Sequence, residues 1–422
     1  MTRPEIELLK KAYLEHLKDN PKLYLGIELE FPIVNLSGQA TDIQVTKKLL
    51  VHLADCLGFD IIQRDVNGNP IQLLDSVSQD QILFEVSYNI LEIAFGRSET
   101  IQQVEERFQQ YMKVIQGFLR KHHHALQGQG IHPSWKINDN RSVDTPRYQM
   151  LTQYLSMSSC YPQQNFHPYR DYGGFICGSQ VQLDVSKTNY LRVLNAFNQL
   201  EAVKAYLFAN SSFIHDGLQL SLARDYFWEA SMHGFFKENI GLYPQSFQSE
   251  HDFLNYLSQS SLFYVMREGE IYYFPPIQVK DYLHQKYIDV FDLTGKKHQI
   301  KPLPEDLEHH RSYHYQLLTR RGTVEFRSVC CQSFNRTFAS AAFHLGLLVN
   351  LDQLEQILDE HQESISQVKS LRTKVANNNL DSQEESNLKA FALRLLQCAR
   401  EGLVIRGNQE ESYLTTLIDP LI

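Results

Sequence analysis

The chain has 422 residues, 43% of them hydrophobic, and a formal net charge of -9 at pH 7. That length buries a substantial core and is compatible with one large domain or up to three smaller ones. Lys and Arg are scattered rather than gathered in a stripe, which argues against a nucleic-acid or anionic-membrane partner.

The opening segment reads as an amphipathic helix over about residues 3–19, with Ile6, Leu8, Leu9, Tyr13 and Leu17 as its apolar positions and without the apolar centre of a signal peptide. A strand is expected over 23–34 and a helix over 43–58. Strands over 81–88 and 91–95 follow, then a long helix over 99–124 with Ser98 and Thr100 as candidate N-caps. Thr145-Pro146 starts a helix over 146–156, proline being suited to the first helical position. Beyond it lie a strand over 179–185, a helix over 187–210, strands over 262–266, 270–275 and 317–328, and helices over 335–361, with a break, and 382–403. Strands and helices mix without a βαβ rhythm, so the expected class is α+β. No linker separates halves of different composition, and the expectation is one catalytic domain over 1–422, its helical segment 335–422 packed on it. No apolar run approaches about 18 residues, so no membrane span is expected. Six cysteines without a CxxC pair point to a reducing cytoplasm.

There is no GxxxxGK[ST] loop and no GxGxxG, so a nucleotide would have to be held without a glycine-rich cradle. Four segments carry the chemistry instead. In LYLGIELEFPIV, Ile27, Leu29, Phe31 and Ile33 alternate with Gly26, Glu28, Glu30 and Pro32, so two carboxylates share one face. In QILFEVSYNILEIAFGR a hairpin turning at Ser87 to Asn89 brings Glu85 and Glu92 onto one polar face. GSQVQLDV sets Gln180, Gln182 and Asp184 against Val181, Leu183 and Val185, and RRGTVEFRSV sets Thr323, Glu325 and Arg327 against Val324 and Phe326. One Glu-x-Glu strand alone is usually a solvated surface. Four such strands in one sheet would crowd Glu28, Glu30, Glu85, Glu92 and Glu325 onto one concave surface. Each ion removed from water costs on the order of several kcal/mol unless paired. A hard cation such as Mg2+, which takes oxygen ligands and shares its shell with waters and phosphates, resolves that conflict. His122, His123 and His124 end a helix and suit its C-terminal dipole rather than a metal, and Cys330-Cys331 reads as a buried structural pair.

These motifs together resemble glutamate-cysteine ligases, in particular the class of plants and many proteobacteria. GIELEF is similar to the family's Glu-x-Glu strand, FEVSYNILEIAFGRSETIQQV to its two-glutamate hairpin and following helix, and TPRYQMLTQYL to its segment with an Arg-Tyr pair, here Arg147-Tyr148. CGSQVQLDVS, LFANSSF, the ARDYFW run with Arg224 and Trp228, EHH with His310 and TRRGTVEFRS follow in the family's order, from about Leu23 to about Gly402. The resemblance implies a glutamine synthetase-like fold: a curved, mainly antiparallel β-sheet forming a funnel-shaped active site with helices packed outside. It implies two or three Mg2+ ions on Glu28, Glu30, Glu85, Glu92 and Glu325, Arg224 and Arg327 on the transferred phosphate, and His310 at the nucleotide. Arg147, Tyr148, Gln182 and Trp228 would meet the substrates.

The implied reaction is ATP-dependent formation of a γ-glutamyl amide from glutamate and cysteine. The alternatives are a related ligase serving another amine and a relative that keeps the metal site without catalysis. Arg327 could equally be the salt-bridge partner of Glu325 or of a glutamate on a neighbouring strand, and Tyr148 and Trp228 could equally be wall or core. Where plant-like enzymes carry a proline- and glycine-rich stretch before the second hairpin glutamate, this chain has Val86-Ser87-Tyr88-Asn89-Ile90-Leu91, which reshapes the hairpin tip beside the bound substrates. The sequence leaves oligomeric state open.

Overall fold

The centre of the protein is a nine-stranded, antiparallel sheet. A computed structural model describes residues 3–422. In chain order its first seven strands are β1 (Leu25–Asn35), β2 (Asp60–Arg64), β3 (Pro70–Leu74), β4 (Gln81–Phe84), β5 (Ile90–Ser98), β6 (His124–Leu126) and β7 (Ser179–Asp184). The Gln316–Leu318 and Thr323–Phe326 strands complete it. From one edge the order is Gln316–Leu318, Thr323–Phe326, β7, β1, β5, β4, β3, β2, with β6 pairing the far end of β1. A separate four-stranded antiparallel sheet spans Ser261–Ile300. The mixture of helices with antiparallel strands is the α+β class expected from the chain.

Alternation decides which way each strand faces. Ile27, Leu29 and Phe31 on β1, Ile93 on β5, Val181 and Leu183 on β7, and Val324 and Phe326 are all buried in one core. Helices cover that face. Phe108 of the Ile101–Lys121 helix lies 5.9 Å from the Phe31 ring, and Phe197 of the Tyr190–Gln199 helix lies 4.5 Å from Phe326. Burying each such side chain contributes about 1.5–3 kcal/mol. The opposite face of the same strands therefore carries the polar set.

The local signals for helix starts operate as expected. Thr100 forms a capping box with Gln103, and the Thr145 side chain accepts from the Tyr148 backbone N–H with Pro146 in the first turn.

Other boundaries differ. The first helix stops at Tyr13 rather than near residue 19. The expected 187–210 helix is two helices, Tyr190–Gln199 and Glu201–Phe208, divided at Leu200. The expected strand 317–328 is a hairpin, because Gly322 adopts φ +78° and turns the chain between Leu318 and Thr323. β2 and β3, joined across Asn67-Gly68 with Gly68 at φ +81°, and the Ile365–Ala376 helix were not anticipated. No helix among the described residues is long and apolar enough to cross a membrane.

The Ala339–Val349 and Ser382–Arg406 helices meet at two glycines. A Cβ on Gly402 would lie 2.0 Å from the Gly346 carbonyl oxygen, and one on Gly346 would lie 2.2 Å from that of Ala399. Gly402→Ala is expected to lower stability by about 1–3 kcal/mol, the usual cost of overpacking. Urea unfolding of the two proteins side by side reads the difference, and an unchanged midpoint would contradict this contact.

Candidate active site

Strand register alone brings the carboxylates together. Glu30 of β1 is directly opposite Glu92 of β5, and Glu28 is opposite Gln180 of β7. Gln182 is opposite Glu325, and Leu83 is opposite Glu92. In an antiparallel pair, opposed residues share a face, so Glu28, Glu30, Glu92 and Glu325 all stand on the face turned away from the core. Glu85 follows the last residue of β4 and reaches the same place. They open into a cavity of about 660 Å³, and all twelve side chains singled out in the sequence line it.

Four of the five carboxylates have a partial answer to their neighbours. Glu30 accepts from the Gly178 N–H at 2.5 Å and from the Gln180 amide at 3.1 Å. Glu28 accepts from the Gln182 amide at 2.9 Å, while Arg321 donates to the Gln182 oxygen at 2.7 Å. Glu85 accepts from the Tyr148 hydroxyl at 2.8 Å. Arg327 pairs with Glu325, two residues away on its own strand, as one reading of the sequence allowed.

These partners do not cancel the repulsion. Burial, with Glu325 beside it, raises the Glu28 carboxyl from its ordinary 4.5 to about 7. Burial and the Glu30 charge raise Glu85, and burial with the Glu85 and Glu28 charges raises Glu92 well above the ordinary range. Burial by itself would lower the Arg327 guanidinium, but Glu325 and Glu28 outweigh it and raise it.

The donor set suits a hydrated hard cation: clustered carboxylate oxygens and the buried Gln180 Oε1, which has no hydrogen-bond donor among the described residues. No three acidic, imidazole or thiol groups among the described residues form a ready cage.

The cationic side of the cavity is built separately. Arg224 lies on the short Ala223–Glu229 helix, and its Nη1 donates to the Arg327 carbonyl at 2.7 Å. Its Nε is buried without a partner among the described residues and is a free donor for an anionic oxygen. The approach requires Gly178, since a Cβ there would lie 2.6 Å from the guanidinium. Arg147 sits at the mouth, 5.8 Å from the Tyr148 ring centroid.

Trp228 and Tyr313 stack at 5.1 Å and flank Arg327 at 6.0 and 5.9 Å. Buried His233, held down to about pKa 3 by desolvation and the Arg327 charge, completes this wall with an unpartnered Nδ1. Tyr313, His233 and Arg321 were not singled out in the sequence. Arg321 lies within the RRGTVEFRSV segment, at the turn before the strand, but nothing local marks the other two.

His310 stands differently from the rest. Its ring nitrogens are engaged by the Tyr13 hydroxyl at 2.9 Å and the Ser260 hydroxyl at 2.6 Å, which leaves only its ring carbons for a ligand. At the hairpin tip, the Ser87 hydroxyl donates to the Gly174 carbonyl at 2.8 Å and the Asn89 amide to the Asp139 carbonyl at 2.7 Å. The altered tip is thus pinned to neighbouring loops beside Glu85.

The family model for glutamate-cysteine ligase family 2 (GCS2) matches residues 24–411. The chain is 22% identical over 346 residues to the chloroplastic glutamate–cysteine ligase of Medicago truncatula, covering 78% of this chain and 62% of that protein. It is 24% identical over 339 residues to the Arabidopsis thaliana enzyme of the same name, covering 77% and 60%. The chain thus spans about three-fifths of the length of the curated relatives it matches. Among solved structures, a Francisella tularensis glutamate–cysteine ligase in complex with AMP aligns over 95% of this chain and 82% of that one, at 13% identity and TM-score 0.48.

A carboxyl whose folded pKa is raised favours the fold when neutral, so its contribution is full below the unfolded value and is lost as pH rises through the folded one. Without divalent cation, thermal stability should therefore fall between about pH 4.5 and 7, the window set by Glu28, and millimolar Mg2+ should reduce the fall. Calorimetric melting with and without Mg2+ checks this. A metal-independent profile would show that the carboxylates do not bind the ion.

Proposed function

Because the chain belongs to glutamate-cysteine ligase family 2, we propose that it joins the γ-carboxylate of glutamate to the amine of cysteine at the expense of ATP. The observation that carries the reading is the cavity into which five glutamates open from the polar side of one sheet, with Arg327 beside Glu325 and Arg224 entering from a neighbouring helix. On this reading Glu28, Glu30, Glu85, Glu92 and Glu325 hold two or three Mg2+ ions. Bound there, Mg2+ supplies positive charge against the β- and γ-phosphates of ATP. We further propose that the cavity is the funnel of a glutamine synthetase-like sheet, that residues 1–422 work as one catalytic unit, and that its setting is a reducing one such as the cytoplasm, in keeping with six free cysteines.

The chain's own side chains then have defined tasks. Arg224 and Arg327 bind the oxygens of the transferred phosphoryl group, a role to which the guanidinium fork is better matched than an ammonium. The glutamate γ-carboxylate attacks the γ-phosphorus, ADP departs, and the amine displaces phosphate from the resulting acyl phosphate. Arg147 and Tyr148 face the amino-acid substrates at the mouth, Gln182 holds Glu28 and Arg321 in register, and Trp228 walls the site beneath Arg327. His310 borders the nucleotide side through its ring carbons.

A second reading, a ligase using another amine, is favoured by one feature, the Val86–Leu91 tip pinned beside Glu85. Mass detection of the γ-glutamyl product across a panel of amines separates the two. Turnover with cysteine far below that with another amine would select the second. No nucleotide turnover with any amine would instead favour a non-catalytic relative.

Glu28→Gln and Glu325→Gln should each reduce ADP release by at least about 10²-fold, as does loss of a preorganised electrostatic group elsewhere, with the fold retained by circular dichroism. Arg327→Lys should lower kcat more than it raises the KM for ATP. Wild-type rates in either glutamine variant would contradict the metal assignment, and a pure KM effect at Arg327 would contradict its role in the phosphoryl step.

A further inference from the structure

Behind the cavity, on the side of Arg224 away from the carboxylates, lies a second set of charges almost sealed from solvent. Glu201 and Lys204 are fully buried, while Asp225, Arg224 and Arg372 are no more than 7% exposed. Arg372 is on the Ile365–Ala376 helix, about 150 residues beyond Arg224 in the chain and outside the cavity lining. It donates to Asp225 through Nη2, approaches Glu201 at 3.6 Å through Nε and Glu229 at 3.9 Å through Nη1, and lies 4.0 Å over the Tyr315 ring.

Lys204 closes on Glu201 at 2.6 Å, and Arg224 approaches Asp225 at 3.6 Å. Two buried carboxylates (Glu201, Asp225) and the exposed Glu229 face three buried cations (Lys204, Arg224, Arg372), so the charges balance only with all members present. Breaking such a buried set leaves an unpaired charge, a large penalty.

Two links connect this set to the proposed chemistry. Asp225 is the neighbour of Arg224 on one short helix, and Arg224 Nη1 donates to the Arg327 carbonyl at 2.7 Å. The Arg327 N–H in turn donates at 2.8 Å to the carbonyl of Tyr315, whose ring Arg372 covers and whose hydroxyl bonds Glu229. The end of the Arg372 helix is docked to the same segment, since the Ser221 N–H donates to the Ala376 carbonyl at 2.8 Å and its hydroxyl to Val375 at 2.8 Å. Arg372 therefore touches both the helix that carries Arg224 and the residue that anchors the Arg327 backbone. Its guanidinium is the one group in the set that spans Asp225, Glu201 and Glu229 together.

We propose that Arg372 is a positioning residue: through Asp225 and Tyr315 it fixes the spacing of Arg224 and Arg327, and so the phosphoryl-binding geometry of the cavity. This rests on the ligase reading above. A lysine has the charge but not the planar fork, whose separate nitrogens here point toward Asp225, Glu201 and Glu229 from one rigid plane. A displacement of about 1 Å at such a site costs on the order of 10²-fold in rate.

The test uses the full chain with Arg372→Met and Arg372→Lys, each measured for folded fraction, kcat, KM for ATP and crystal structure. The expected result is a kcat reduced about 10- to 100-fold in the folded protein, a KM for ATP changed much less, and Arg224 displaced from the Arg327 carbonyl. Arg372→Ala supplies a further readout: guanidinium ion at low millimolar concentration should restore part of kcat saturably, while urea at the same concentration should not.

A folded Arg372→Lys or Arg372→Met protein with near-wild-type kcat, or with the Arg224 to Arg327 contact intact, would overturn the proposal. So would a loss of activity explained wholly by a smaller folded fraction. Should Arg372→Met fail to fold, Arg372→Lys, which leaves no buried unpaired charge, gives the answer. If the wild-type chain turns over no substrate, the ligase reading fails, and the positioning claim is still decided by whether Arg224 moves in the variant structures.

Discussion

Like charges held closer together than water would allow are the constraint around which this protein is arranged. Glu30 faces Glu92 across a strand pair, Glu28 lies within reach of Glu325, and Glu85 meets Glu92 at the hairpin end. A flexible chain would separate these groups at once. They stay together because the other face of every strand involved is buried among Ile27, Leu29, Val181, Leu183, Val324 and Phe326. A slip of one residue in register would move those side chains into the cavity and the carboxylates into the core. Hydrophobic burial on one face thus supplies the work of concentrating charge on the other.

The arginines complete the arrangement without neutralising it. Arg327 pairs with Glu325, and Arg321 reaches Glu28 only through Gln182. Arg224 has its Nη1 bound to a carbonyl while its Nε stays free. A cavity with raised carboxyls on one side and an unsatisfied guanidinium donor on the other is suited to a cation and an anion arriving together. A metal-nucleotide complex has that description, as the proposed function requires. Rigidity behind the site is provided by the neutral set around Arg372 and Glu201.

Much of the fold was legible where local physics decides it. The Thr100 and Thr145 caps, the alternation of β1 and β7, and the Glu85 to Glu92 hairpin depend on neighbours in sequence, and they appear where they were expected. Other elements depart from the local pattern. Nothing in Gln199-Leu200-Glu201 announces the division of the 187–210 segment, since neither Gly nor Pro is present. The Arg320-Arg321-Gly322 turn and the Asn67-Gly68 turn did carry glycine signals, and the long strand expected over 317–328 passed over the first of them.

The sequence by itself determined which residues could take part in the chemistry, because side-chain period and residue type settle which atoms share one face of a strand, and it determined the family, because motif order survives where overall identity is low. Only the tertiary structure decided that β7 lies between β1 and the Glu325 strand, that His310 has both ring nitrogens engaged, and that Tyr313, His233 and Arg372 surround the arginines. The pairings of β7 with β1 and with the Glu325 strand, and of Arg372 with Asp225, join residues more than a hundred positions apart. The free energy of such contacts depends on what else has already been excluded from water, which no local pattern of residues records.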